Sequence, residues 1–422
     1  MTTMTLRAAT GVAMWGLAAC ASGPMPIETG DMMMGGADAA AIHERVMTLD
    51  THVDIPLTFA TADTDPGGFT ASQVDLPKMR AGGLDAAFFI LYVGQGPLTE
   101  EGYASARDVI ETKWSAITRM AAAYPEEVAL ATSADEARAA YADGKLVAFM
   151  GIENGYPLGE SVADVPMWAA RGVRYVGVTH FGHNQFGDSS NPNAELGDED
   201  SRFDGLSPLG EELVEALNVA GVMVDVSHAA KATMMDAVAL SRAPILASHS
   251  GASGVNANPR NLDDEQLRAI ADNGGVAQMV AFAGYLKPVP PERTEAIAEL
   301  AERFSLESLA DVEALGEEDA AAFEAAMATI DADYPPAGVS EFVDHIDHAV
   351  AVAGIDHVGI ASDFDGGGGV AGWMNALETG NVTDELVRRG YAEADIAKIW
   401  SGNLLRVLDD VERVGRELRG AE

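Results

Sequence analysis

The sequence predicts an α/β fold, a TIM-type (β/α)8 barrel with a helical insertion before its last strand, and three observations point to it. From residue 44 onward, short runs rich in apolar and β-branched residues alternate with amphipathic helical stretches. Most runs are almost continuously apolar, as in Ala86-Ala87-Phe88-Phe89-Ile90-Leu91, which means burial on both faces and hence a parallel sheet covered by helices. The runs number eight, enough to close a barrel, and a chain of 422 residues has room for one with insertions.

The elements follow in order. Arg7, the uncharged stretch Ala8 to Ala19 and the small residues before Cys20 read as an export signal over residues 1–19, its apolar run too short to span a bilayer. Leu17-Ala18-Ala19-Cys20 resembles the lipobox of bacterial lipoproteins, which implies that Cys20 becomes a lipidated first residue. Residues 20–43 then form a flexible tether, and Ala21 favours the outer membrane, so the chain is expected in the cell envelope, held there by a lipid. The barrel occupies residues 44–422, with strands at Val46–Thr51, Leu84–Tyr92, Leu146–Gly151, Arg174–Thr179, Val222–Val226, Pro244–Ser248, Gly275–Ala281 and His357–Ala361. Between them lie helical patterns such as Gly210–Ala220 and, behind an acidic cap, Asp263–Ala271. Residues 287–339 break the rhythm, from Pro288-Val289-Pro290-Pro291 to Pro335-Pro336. They are expected to be a helical insertion without a core of its own, because their apolar content is mostly alanine.

Composition excludes several functions. With 26 Lys plus Arg against 66 Asp plus Glu, a formal charge of −40, the chain repels nucleic acid and anionic lipid surfaces. The acidity itself reads as a solubility feature. One cysteine can form neither an internal disulfide nor a thiolate metal site, so any transition metal must be held by His and carboxylate.

Those residue types gather at strand ends. His52 and Asp54, two apart at the end of the first strand, point to one side by strand alternation. Glu153 follows the third strand, His180 the fourth, His228 the fifth, His249 the sixth and Asp363 the eighth. In a parallel barrel all these carboxyl ends meet at one mouth, where barrel active sites lie. Imidazoles and carboxylates make a ligand set suited to zinc or its neighbours. Two metals fit better than one, because a carboxylate shared between two divalent ions offsets their repulsion, and Glu153 is placed to be that bridge. Any one of these residues alone is more simply a hydrogen-bonded core side chain, so the set carries the inference. His345 and His348, at i and i+3 of a helix at the opposite rim, are read as packing or supporting residues, His43 and His357 as structural. His183 lies in a loop near the mouth.

In this order, Asp50-Thr51-His52-Val53-Asp54, Gly151-Ile152-Glu153, Thr179-His180 with Asn184 and Gly187-Asp188-Ser189, Asp225-Val226-Ser227-His228, Ser248-His249-Ser250, Pro259-Arg260-Asn261-Leu262 and the run Gly359 to Gly366 resemble the membrane dipeptidase family, also called renal dipeptidases. The likeness covers residues 44 to 410 and includes longer bacterial members with a helical insertion. It implies two zinc ions per chain, one on His52, Asp54 and Glu153 and the other on Glu153, His228 and His249. It also implies that His180, Arg260 and Asn184 contact substrate, that Asp363 handles protons, and that the chain pairs as a homodimer. The implied activity is hydrolysis of dipeptides, D residues accepted at the second position, with β-lactam opening as a side reaction.

The chemistry of the residues agrees with those roles. A water shared by two zinc ions would ionise near neutral pH and attack the carbonyl as a metal-bridged hydroxide. His180 would donate to the developing oxyanion, Asp363 would pass a proton to the leaving amine, and Arg260 would clamp the free carboxylate. Thr51, Val53 and Asn154 depart from the family's usual residues, which bears on substrate fit more than on metal binding. Two alternatives stand beside this reading. One is a metal-dependent amidohydrolase of another class, such as a deacylase or lactonase; many of these bridge their metals with a carboxylated lysine, but none of the six lysines here directly follows a predicted strand. The other is a binding lipoprotein without catalysis, in which loss of ligands would be expected, and all are present.

Overall fold

The computed structural model describes residues 36–306 and 315–420. The export signal, Cys20 and residues 20–35 of the tether lie outside the described residues. Nine strands form one parallel sheet: β1 Leu49–Val53, β2 Ala86–Tyr92, β3 Val128–Leu130, β4 Leu146–Glu153, β5 Val173–Gly177, β6 Met223–Asp225, β7 Leu246–Ser250, β8 Val276–Val280 and β9 Val358–Ala361. Eight of them run in the order β1-β2-β4-β5-β6-β7-β8-β9. Asp54 N donates to Phe364 O at 2.8 Å and Asp363 N to His52 O at 3.1 Å, joining the last strand end to the first. The eight strands therefore make the expected TIM-type barrel, nearly closed, with helices alternating around it.

The extra strand, β3, pairs only with the start of β4, Val128 opposite Leu146 and Leu130 opposite Ala148, where β5 has not yet begun. Three residues carry no readable period, which is why the sequence shows eight strands and not nine. Other boundaries move by one to three residues, and the shifts matter at the mouth. β1 runs through His52, β4 through Glu153 and β7 through His249, so these three lie within the last two residues of their strands and do not follow them. An apolar run ends at the first polar side chain, but the backbone ladder does not: Tyr92 still pairs with Glu153.

Inside the barrel, Leu49, Phe88, Phe149, Tyr175, Met223, Leu246 and Val276 are fully buried in one cluster, with the Phe88 and Phe149 rings stacked at 4.7 Å. They are the floor beneath the mouth. Thr51 sits among them, its Oγ1 2.8 Å from Ser248 O and 2.9 Å from Ile360 O, so it links β1 to β7 and β9. Its departure from the family's usual residue therefore concerns barrel packing and not substrate fit. Thr51→Val should cost about 1–2 kcal/mol of stability by stranding polar groups in the core, read as a lower denaturation midpoint with metal content unchanged.

Two expectations are corrected. Residues 36–43, expected to end the tether, form a helix that is part of the folded body: Ala39 is buried, His43 Nδ1 lies 2.8 Å from Thr383 Oγ1 and His43 Nε2 3.0 Å from Gly82 O. The helical insertion does have a small core. Ile297, Leu300, Ala301 and Leu306 pack against Phe323 and Met327 from the facing helix, and buried Arg293 holds Asp331 at 2.8 Å. Four large apolar side chains spaced along two helices suffice for this, even in an alanine-rich sequence. Among the described residues no helix is long and apolar enough to cross a membrane.

Candidate metal centre and active site

Glu153, at the carboxyl end of β4, is the centre of the mouth. Its Oε2 lies 3.3 Å from His52 Nε2, which is itself 3.6 Å from Asp54 Oδ2 and 3.9 Å from Asp363 Oδ1. Its Oε1 faces the other way, 3.1 Å from His228 Nε2, 3.4 Å from His249 Nε2 and 3.5 Å from His180 Nε2. The predicted metal-site residues are thus brought together around one carboxylate, and His52 and Glu153 each belong to two of the overlapping groups that could hold an ion.

The local chain explains how. Strand alternation turns His52 and Asp54 to the same side. Gly151, two residues before Glu153, leaves room for a neighbour: a Cβ there would lie 2.4 Å from the Tyr175 ring, whose hydroxyl sits 2.9 Å from His52 Nδ1. His228, Asp363 and Asn154 all adopt left-handed backbone, at φ of 66°, 60° and 73°, so sharp turns after their strands aim the side chains into or around the mouth. At Asn154 an asparagine takes a conformation otherwise suited to glycine, and its side chain accepts from Tyr156 N at 3.2 Å.

The donor set fits divalent metal. His52 Nε2 and Asp54 Oδ1 are buried without hydrogen-bond partners, and His228 Nε2 meets His249 Nε2 at 2.9 Å, two lone-pair atoms turned on each other. On the far side of two of these rings the proton has a place to go, whereas His228 Nδ1 is buried without a partner. With Nε2 free, His52 Nδ1–H donates to Tyr175, and His249 Nδ1–H donates to Ser248 Oγ at 2.8 Å, whose hydroxyl donates to Asp225 Oδ2 at 2.7 Å. Gly366 keeps space above the carboxylates, since a Cβ there would stand 2.5 Å from both Asp363 Oδ1 and Asp54 Oδ2.

Electrostatics tell the same story. Burial opposes charge on His52, yet Glu153, Asp54 and Asp363 hold its proton well above the ordinary histidine range. Burial pushes Glu153 up, but His52, His180, His228 and His249 outweigh it and keep the carboxylate ionised. Burial, with Arg260 and the neighbouring imidazoles, keeps His228 and His249 neutral, the form that ligates metal. The buried carboxylates around His52 draw positive charge to this point.

Around this centre lies a cavity of about 1130 Å³. His180 lines it between Tyr92, at 4.8 Å between ring centroids, and Phe181, at 4.7 Å. Arg260 is buried beside it, its Nη2 donating to His249 O at 2.9 Å, its guanidinium 5.4 Å from the Tyr285 ring and its Nε without a partner. Asn184 does not face the mouth: its amide donates to Asn154 Oδ1 and Val178 O, and its oxygen accepts from Phe186 N and Gly187 N. With every valence used inside the protein, it frames the loop and does not contact substrate, a correction that follows from loop hydrogen bonds no motif displays.

The remaining histidines are structural. His345 accepts from Ala252 N and reaches Leu286 O, His348 meets Asp264, His357 meets Gly275 O, and His183 is bonded to Ser189 N and Glu199 O. His345 thereby ties the loops after β7 and β8 and lies nearer the mouth than its place before the last strand suggests. Sequence reasoning missed Tyr92, Phe282, Tyr285 and Lys113 in the cavity wall. For Lys113 a signal exists: it falls on the buried stripe Tyr103, Ala106, Ile110, Lys113, Ile117, Met120, where a charge is out of place.

Residues 37–422 match the family model described as membrane dipeptidase (peptidase family M19). The crystal structure of the probable dipeptidase PvdM from Pseudomonas aeruginosa superposes with a TM-score of 0.79 at 37% identity, over 90% of this chain and 98% of that one. Dipeptidase aclJ of Aspergillus oryzae is 30% identical over 353 residues, 82% of this chain and 72% of its own. A metallopeptidase from Rhodobacter sphaeroides, solved with a phosphinate mimic of the dipeptide L-Ala-D-Ala, shares the fold at 22% identity and a TM-score of 0.66, over 87% and 99% of the two chains.

Proposed function

We propose, from the premise that the chain belongs to the membrane dipeptidase family and is a metal-dependent dipeptidase, that it is a binuclear zinc enzyme cleaving free dipeptides, D residues at the second position included. The observation that carries the reading is the place of Glu153, with Oε2 toward His52, which neighbours Asp54, and Oε1 toward His228 and His249. His52, Asp54 and Glu153 would hold one ion, Glu153, His228 and His249 the other. Zinc bound there supplies a water of lowered pKa, near 7, and Lewis acidity toward the carbonyl.

The protein's own groups do the rest. Arg260 offers a planar cation with an unpartnered Nε, suited to the substrate's C-terminal carboxylate, and so sets the distance from that terminus to Glu153. A clamp on the carboxylate constrains the chirality beside it weakly, which favours tolerance of D residues. The phosphinate mimic bound by the Rhodobacter protein names the ligand class to try. His180, lowered from its usual value first by burial, is neutral and can donate one ring N–H to the developing oxyanion. Asp363 takes the attacking water's proton at its carboxylate and returns it to the leaving amine.

The test uses the full chain. Zinc-replete protein should hydrolyse L-Xaa-L-Ala and L-Xaa-D-Ala, lose activity to a chelator and regain it with zinc; indifference to chelation, or less than one zinc per chain, refutes the reading. In the same assay Arg260→Ala should raise KM at least about tenfold with a smaller change in kcat, and a KM within about twofold counts against the clamp. The reading also keeps Cys20 as a lipid anchor in the cell envelope, which fatty-acid labelling of a Cys20→Ser variant against the native chain decides.

A further inference from the structure

We propose that Lys113 reads the side chain of the substrate's first residue and makes the site select dipeptides that begin with Asp or Glu. The inference rests on the dipeptidase reading above and names its substrate class. Lys113 lies on the buried face of the helix Glu100–Ala123, its side chain only 7% exposed. Its ammonium lies 3.6 Å from Asp54 Oδ1, too long for a hydrogen bond, and 5.2 Å from the centre of the Tyr92 ring. Lys113 and Tyr92 both line the cavity. The ammonium is paired with Asp54 at ion-pair distance only, is not among the buried atoms cut off from any partner, and borders the cavity, so it has donors to offer a negative group that enters there.

The order of groups across the mouth says what that is. Lys113 borders Asp54, Asp54 borders His52, His52 and Glu153 share a group with His249, and Arg260 donates to the His249 backbone on the side away from Lys113 in this chain of neighbours. A dipeptide with its C-terminal carboxylate on Arg260 and its scissile carbonyl over Glu153 places its first residue at the Asp54 end. There the free amine lies beside Asp54, and the first side chain extends toward Tyr92 and Lys113. In this half-enclosed setting an ion pair is worth more than at an open surface. An acidic side chain would fill the donors, and a basic one would be repelled.

Lys113 also touches Asp54, and a role confined to orienting that carboxylate is the competing outcome. The experiment compares zinc-loaded native chain, Lys113→Met and Lys113→Arg on Glu-Ala, Asp-Ala, Ala-Ala and Lys-Ala, with zinc content measured for each. The native chain should favour acid-first over neutral dipeptides at least tenfold in kcat/KM. Lys113→Met should reduce that ratio at least tenfold, chiefly through KM, and Lys113→Arg should keep most of it. A native chain without the preference overturns the proposal, as does a ratio that Lys113→Met leaves within twofold, whatever the absolute rates. If no dipeptide is cleaved at all, the dipeptidase reading fails, and calorimetric binding of two phosphinate dipeptide analogues, one with an acidic first side chain and one without, decides the recognition. A tenfold tighter grip on the acidic analogue that Lys113→Met erases supports it, and equal binding overturns it.

Discussion

Replacing Glu153 by glutamine should strip the protein of bound metal and lower kcat/KM for dipeptides at least about 10³-fold, equivalent to about 4 kcal/mol of transition-state stabilisation. The carboxylate is the group shared by the two proposed ligand sets, at 3.3 Å from His52 and 3.1 Å from His228. Glutamine has nearly the same volume, so packing at the end of β4 is kept. What changes is the chemistry: one acceptor becomes an NH2 whose hydrogens point at imidazole lone pairs or at a cation, and one buried negative charge disappears. One half of the centre then has three ligands reduced to two plus a repulsive contact, and the other keeps only a neutral amide oxygen in place of a carboxylate. Metal analysis after zinc-replete growth, kinetics and circular dichroism check this together. A folded variant that keeps two zinc ions and stays within tenfold of native kcat/KM would remove Glu153 from the bridging role.

Glu153 is legible in the amino-acid sequence because the barrel does the assembling. Each ligand is a polar side chain that interrupts a buried apolar run, and parallel strands bring all such interruptions to one rim. His52, Asp54, Glu153, His180, His228, His249 and Asp363 stand out on that rule alone. What the rule does not reach is anything set by loops or by helix packing. Asn184 sits in a motif beside His180, yet its valences are spent on Val178, Phe186 and Gly187, which only the folded loop reveals. Tyr175 and Ser248, which orient His52 and His249, lie inside apolar or small-residue strands and carry no mark of that duty. Lys113 reaches the mouth from a helix, from outside the set of strand ends. The insertion's core depends on Phe323 and Met327 of one helix meeting Leu300 of another, a tertiary contact that composition hides.

Asp363→Asn should separate proton transfer from metal binding. The expected result is a fall in kcat of about 10²–10⁴, the usual worth of a positioned general acid or base, with both metals retained and KM within a few-fold. Asparagine tolerates the left-handed backbone found at this position, φ 60°, so the turn that fastens Asp363 N to His52 O at 3.1 Å can survive. The aspartate itself is suited to carry a proton. Burial raises its affinity for one well above the ordinary carboxylate range, Asp54 and Glu153 raise it further, and His52 opposes them. Because a base acts in its unprotonated form, the native enzyme should gain kcat/KM as pH rises through this group's pKa, which bound divalent cations lower from its metal-free value. Asparagine does not titrate, so the rise belonging to this group should vanish while the metal-dependent remainder persists. Loss of zinc from the variant would instead make Asp363 a ligand of the His52 and Asp54 set, to which its Oδ1 lies close enough, 3.9 Å from His52 Nε2. Retained zinc with kcat within tenfold of native would place the proton on another group, and among the described residues lining the mouth His180 would be the next to replace.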